Sequence, residues 1–289
     1  MMWTETIRAI GPFDFDYALF RLSFDPLMDL DRDGRWVRVP FKIGDDKHIV
    51  KVKATGSTEQ PEFQISGDSD QDKSQLIREV EEVFQLHLDL KQIHNHFSDT
   101  KLAPLFAKYP GTPVVKEFNR FDALMKTIVH QQLNMKFAYT LSMRYVQNFG
   151  EEVEGVWFQP TPEKVASLNY EELRKLQFSQ RKAEYVIDTS RMIVDGKLNL
   201  DELAEKPNEE VIETLTKVRG IGFWTAENWL LSGLGRDNLL PAADIGIQNA
   251  LKKFLNLDSK PKKDDIYTMG EEWSPYRSYA AITLWRSIE

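Results

Sequence analysis

The 289-residue chain contains no cysteine. Disulfides, thiolate zinc sites and cysteine-held iron–sulfur clusters are thereby excluded, and the composition fits a cytoplasmic protein. No run of about 18 apolar residues occurs, so no membrane span is expected. The first residues, MMWTETIRAIGPFDF, have neither the basic start nor the apolar stretch of a signal peptide. Basic residues are not in excess either: 37 Lys and Arg stand against 45 Asp and Glu, a formal net charge of -8. Such a balance argues at first against a nucleic-acid partner. The imbalance is local, however. Residues 1–90 carry 11 Lys and Arg against 18 Asp and Glu, and the remainder is nearly neutral at 26 against 27. Total charge is therefore a weak veto on a site in the later part of the chain. Metal-ligand patterns are also missing. His94 and His96, two apart, point to different sides of a helix, and His48, His87 and His130 have no ligand spacing, so no catalytic metal or cofactor is expected.

What is present reads as an α+β protein long enough for two domains. DYALFRLSF, RWVRVPFKI, HIVKVKA and EFQIS alternate as short strands, with Asp33-Gly34 and Gly44-Asp45 as turns between them. From Asp72 the period changes, and Leu76, Val80, Val83, Phe84 and Leu90 suit one face of a long helix. Helices follow almost exclusively, separated by KYPGTP, FQPTPE, VDGKL, EKPNEE and SGLGRDNLLP. The expected division is a small antiparallel-sheet domain over residues 1–100 and a mostly α-helical region over 101–289. The boundary falls within 90–110, with the long helix bridging it.

The stretch KVRGIGFWTAENWLL places Gly220 and Gly222 between two helical patterns. A helix ending near Val218 and another beginning at Phe223 make a hairpin whose turn needs positive φ and leaves backbone N–H groups unpaired. Those groups, with the positive end of the helix dipole, can hold a phosphate without any lysine. An ordinary turn that binds nothing is the plainer reading of two glycines. Further on, Asp244 in PAADIGIQNALKKF is an N-cap by pattern, with Ile247, Leu251 and Phe254 as the buried face behind it.

Read together, these segments resemble the helix-hairpin-helix DNA glycosylase superfamily. Gly220, Ile221, Gly222, Thr225 and Ala226 match its hairpin, and Asp244 falls in the position of its essential aspartate. FDALMKTIVHQQLNMKFA is similar to its helix–loop–helix, LQFSQRKAEYV to its RKA stretch, and WSPYRSYAAITLW to the C-terminal helix of the 3-methyladenine DNA glycosylase II subgroup. The likeness covers roughly residues 90 to 289, and the sheet-like start fits the subgroup's first domain.

The resemblance implies excision of alkylated purines of the 3-methyladenine and 7-methylguanine type from double-stranded DNA by a monomer. Asp244 would stabilise the oxocarbenium-like sugar of an extruded nucleotide. At about 4 Å and an effective dielectric near 20 that attraction is worth on the order of 4 kcal/mol. Gly220, Gly222, Trp224 and Thr225 would hold the DNA backbone. Gln131, Gln132 and Leu133 would form the wedge that fills the gap left in the stack. Trp224 and Trp285, with Asn228 one turn from Trp224, would line the base pocket, whereas Trp229, Trp273 and Tyr276 are expected in the core. The carbonyls of Thr216, Val218 and Ile221 would hold a structural sodium or potassium ion. Arg181 and Lys182 are expected at the backbone phosphates or on a solvated helix face.

Several residues depart from the family pattern. Trp224 stands where strand-cleaving members carry a Schiff-base lysine, which implies a monofunctional enzyme without lyase activity. Arg219 replaces a proline in the turn. Asn228 replaces a tyrosine, Ala243 a second acidic residue and Ile245 an aromatic. These last changes leave open a second possibility, a DNA-structure-binding protein on the same scaffold with no glycosylase activity.

Overall fold

A computed structural model describes residues 3–289. The N-terminal part runs β1 (Trp3–Arg8), α1 (Phe15–Leu22), β2 (Asp29–Asp31), β3 (Trp36–Ile43), β4 (Asp46–Ala54), β5 (Glu62–Gly67) and α2 (Lys73–Phe84). The strands form one antiparallel sheet in the order β1-β5-β4-β3-β2. Alternation explains it: Val37, Val39 and Phe41 of β3 are buried while the residues between them are not. Their register across the sheet, Val37 on Val52 and Val39 on Val50, builds one apolar face. Phe15 of α1 bridges that sheet to α2, its ring centroid 5.3 Å from that of Phe63 and 5.6 Å from that of Phe84.

Two expectations fail here. DYALFRLSF contributes to a helix, α1, and not to a strand. Asp14 caps it by accepting the Tyr17 N–H at 2.9 Å, and Phe15, Ala18 and Leu19 follow the helical spacing on the buried side. The long helix after Asp72 also ends early. Gln85 closes α2 in the left-handed conformation (φ 50°), and Asp89 caps a new helix at Leu90 by accepting the Lys91 and Gln92 N–H groups. All five apolar positions are buried as expected, but on two helices.

The remainder comprises α3 (Leu90–His96), α4 (Ala103–Lys108), α5 (Arg120–His130), α6 (Met135–Phe149), β6 (Glu151–Val153), β7 (Val156–Phe158), α7 (Pro162–Ala166), α8 (Tyr170–Lys175) and α9 (Gln180–Val194). After these come α10 (Leu200–Ala204), α11 (Asn208–Thr216), α12 (Phe223–Ser232), α13 (Ile245–Phe254), α14 (Lys263–Met269) and α15 (Arg277–Arg286). The β6–β7 hairpin interrupts the expected run of helices and buries Val156 and Phe158 against Ile49. No helix among the described residues is long and apolar enough to cross a membrane.

One apolar core runs from Trp3 to Leu284 and joins sheet and helices. The chain's end is fastened to α1: Tyr17 Oη donates to Glu289 Oε2 at 2.9 Å, and Arg286 pairs with Asp14. α1 is thereby held beside the C-terminal helix, with consequences for the site.

Candidate active site and nucleic-acid interface

The hairpin forms as its sequence demands. α11 ends at Thr216, α12 begins at Phe223, and Gly220 lies between them at φ 93°. A side chain at Gly220 is doubly excluded, because a Cβ there would also lie 2.2 Å from the Tyr185 ring. Gly222 differs. Its backbone is extended (φ -98°), and a Cβ would meet nothing within 4 Å. Among the described residues nothing requires that glycine; the space in front of it is open. As N-cap it has no side chain to offer, so the N–H groups of Phe223, Trp224 and Thr225 find no acceptor among the described residues. Arg219, the departure in the turn, ion-pairs with Glu184, and its guanidinium lies 5.5 Å from the Tyr185 ring centroid, fastening the turn to α9. Among the described residues the carbonyls of Thr216 and Ile221 accept no hydrogen bond, while that of Val218 accepts the Ile221 N–H at 3.0 Å.

The loop between α5 and α6 reaches the same hairpin. Gln131 is turned inward, its Nε2 donating at 2.8 Å both to the Gly220 carbonyl and to Thr225 Oγ1. Its amide is therefore committed to the protein and is not at the tip, contrary to the expected wedge. Thr225 is likewise buried, and its hydroxyl serves this tie. The tip belongs to Gln132, exposed and at φ 57°, followed by half-buried Leu133 and exposed Met135. Lys182 is neither a solvated residue nor placed for phosphate. Buried, it donates to the Ile128 carbonyl at 2.9 Å and the Gln131 carbonyl at 3.1 Å, and burial pushes its pKa down to about 8. Arg181 is exposed.

Asp244 is the N-cap of α13, its Oδ1 accepting the Ile247 N–H at 3.1 Å. Capping does not exhaust it. Trp285 Nε1 donates to the same oxygen at 2.9 Å, and Trp224 Nε1 approaches Oδ2 at 3.4 Å. Three donors from three helices thus fix one carboxylate and leave Oδ2 the less occupied oxygen. Gly246 makes room for this: a Cβ there would lie 2.8 Å from both Asp244 Oδ1 and Trp285 Nε1. The carboxylate, both tryptophans, Asn228 and the hairpin all border one cleft of about 1220 Å³. Asn228 bends back to donate to the Trp224 carbonyl at 2.8 Å. Trp229 and Trp273 are fully buried and Tyr276 packs half-buried against the core, as expected.

The cleft also holds groups to which the motifs gave no clue. Lys126 donates to Glu117 Oε1 at 2.7 Å and lies 4.0 Å from Asp25. Those carboxylates outweigh the cost of its burial and raise its pKa, so it stays protonated. Arg21 lies over the Trp285 ring, 5.9 Å from the centroid. Gly246 had a signal, a glycine two residues into a helix. Arg21 had none, since its place depends on a helix packing across some 260 residues of chain.

Comparisons with known proteins give the family of the chain. Residues 125–275 match the family model described as HhH-GPD superfamily base excision DNA repair protein. The YfjP protein of Bacillus subtilis (strain 168), itself only provisionally named a DNA-3-methyladenine glycosylase, is 50% identical over the whole of both chains. A protein of the same organism named DNA-3-methyladenine glycosylase is 29% identical over 85% of this chain and 84% of its own. The solved structure titled 3-methyladenine DNA-glycosylase from Archaeoglobus fulgidus superposes with a TM-score of 0.86 at 23% identity, over 99% of this chain and 97% of that one. With its hairpin, its aspartate and a matching fold from end to end, the chain belongs to the helix-hairpin-helix superfamily of base excision DNA repair proteins.

Proposed function

We propose that the protein is a monofunctional DNA glycosylase that hydrolyses the N-glycosidic bond of alkylated purines in double-stranded DNA. The observation that carries this reading is the Asp244 carboxylate, fixed by Ile247, Trp285 and Trp224 at the border of a cleft beside a hairpin with three N–H groups unpaired among the described residues.

In this reading the N–H groups of Phe223–Thr225 grip a phosphate. The tip at Gln132 and Leu133 fills the stack from which the damaged nucleotide is extruded. As the glycosidic bond breaks, its electron pair leaves with the base and positive charge develops on the sugar. Asp244 Oδ2, the less encumbered oxygen, faces that charge. Stabilisation on the order of 4 kcal/mol corresponds to roughly three decades in rate. Water then adds to the sugar carbon, losing a proton, and leaves an abasic site. Trp224 cannot form a Schiff base, and Lys126, held protonated between Glu117 and Asp25, is no nucleophile, which supports hydrolysis without strand cleavage. The free carbonyls of Thr216 and Ile221, with that of Val218, suit a hard monovalent cation, which would add charge at the phosphate grip.

The test is release of free bases from methylated duplex DNA, identified by mass spectrometry, with Asp244→Asn alongside. Release lost in the variant while binding to abasic duplex persists supports the reading. Tight binding to abasic or bent DNA by the wild-type protein, with no base released from any lesion, would replace it with the DNA-structure-binding alternative.

A further inference from the structure

Arg21 occupies a place that the hydrolysis above does not use. Its Nη1 donates to Glu289, whose other carboxylate oxygen accepts from Tyr17 Oη at 2.9 Å. This clamp sets the guanidinium between Phe24 and Trp285, 5.7 and 5.9 Å from their ring centroids, and Trp285 is the indole whose Nε1 fixes Asp244. The side chain is one-third exposed, at 33%, and borders the cleft. Its Nε and Nη2 hydrogens have no acceptor among the described residues. A guanidinium therefore presents free donors one indole away from the reacting carboxylate, with its charge already balanced by Glu289. Neither α1 nor residue 285 lies in the segment matched by the family model, residues 125–275.

We infer that Arg21 reads the edge of the extruded base and makes the site prefer purines with an oxo group at C6, such as 7-methylguanine, over those with an amino group there, such as 3-methyladenine. This rests on the glycosylase reading and names its substrate class. A guanidinium offers only donors. The O6 of a guanine-type lesion accepts from it, whereas the 6-amino group of an adenine-type lesion sets donor against donor. Both lesions are cationic in the nucleotide, so repulsion from the guanidinium weighs on both and largely cancels in the ratio. A base-edge contact from arginine discriminates about ten- to a hundredfold.

DNA treated with dimethyl sulfate carries both lesions in one substrate. Single-turnover release of each base, divided by its spontaneous rate of loss, gives the preference directly. The wild-type protein is expected to favour 7-methylguanine. Arg21→Met, which keeps the stem and removes the donors, should lower the normalised ratio at least tenfold by slowing 7-methylguanine release. Arg21→Lys, which keeps charge but not the fork, should lower it severalfold and decides the matter on the same ratio if the methionine variant does not fold. Melting temperature and abasic-DNA affinity monitor folding and binding. An unchanged ratio in a folded, active Arg21 variant, or a wild-type preference for 3-methyladenine, overturns the inference and leaves the glycosylase reading standing. Failure of the wild-type protein to release either base overturns both.

Discussion

Substituting alanine for each hairpin glycine in turn should separate what the fold needs from what a ligand needs. At Gly220, φ 93° costs a non-glycine residue about 1–2 kcal/mol. The new Cβ would also stand 2.2–2.5 Å from three ring carbons of Tyr185, against a comfortable separation of about 3.5–4 Å. Displacing that ring, which also carries the Arg219 guanidinium, adds about 1–3 kcal/mol. Gly220→Ala should therefore lose about 2–5 kcal/mol, a fall of roughly 4–10 °C in melting temperature at about 2 °C per kcal/mol. Gly222→Ala meets nothing within 4 Å and keeps an allowed backbone, so only its poorer N-cap counts, about 1 kcal/mol at most. Its methyl group, however, projects into the space from which a phosphate would approach the Phe223–Thr225 N–H groups. Losing one charge-assisted hydrogen bond should weaken duplex binding about tenfold or more. Calorimetry and fluorescence anisotropy on abasic duplex, at one fixed salt concentration, measure the two quantities. If Gly222→Ala binds DNA as well as the wild-type protein, the phosphate site assigned to this hairpin is wrong.

Trp285→Phe keeps an aromatic ring, though a smaller one, and removes the 2.9 Å donor to Asp244 Oδ1, and should lower single-turnover base release about ten- to a hundredfold with abasic-DNA affinity little changed. Gly246→Ala should give a similar loss of base release, because the methyl lands on the Asp244–Trp285 contact, while a gain in helix propensity and a weakened Asp244 cap, each about 1 kcal/mol, offset one another in the melting temperature; full activity would contradict it. Gln131→Leu strands the Gly220 carbonyl and Thr225 Oγ1, and a loss of about 1–3 kcal/mol in denaturant unfolding is expected together with weaker DNA binding. Burial pushes the Glu227 carboxyl up to about 8 from 4.5, so the native state holds a proton that the unfolded chain has released between those values. Its contribution therefore falls as pH rises from 4.5 to 8, and Glu227→Gln should gain stability over the wild-type protein across that interval, most above pH 8. Parallel melting-temperature profiles for the two proteins would refute this.

Much of the site was legible because it is local. A Gly-x-Gly turn between helical patterns, an aspartate at a helix start and a tryptophan near the C-terminus each lie within a few residues of the features that define them. The strands β3, β4 and β5 were equally readable, since alternation is a property of consecutive side chains. Misreadings arose where two periods coexist. DYALFRLSF alternates, yet its apolar residues also recur at helical spacing, and the Asp14 cap with burial against Phe63 and Phe84 selects the helix. The early end of α2 follows from Gln85, whose amide reaches the Gly235 carbonyl at 2.9 Å, a partner 150 residues away.

The amino-acid order by itself determined the hairpin, the capping aspartate and the alternating sheet, because each follows from backbone sterics and side-chain periodicity over one or two turns of chain. Tertiary structure alone decided how those pieces are used. It turned Gln131 into a tie and buried Lys182 behind the loop. It joined two tryptophans, 61 positions apart in the sequence, on one carboxylate and laid Arg21 over one of them. Hydrogen bonds and ion pairs act over a few ångströms, and which groups come that close is settled only when the apolar faces have packed.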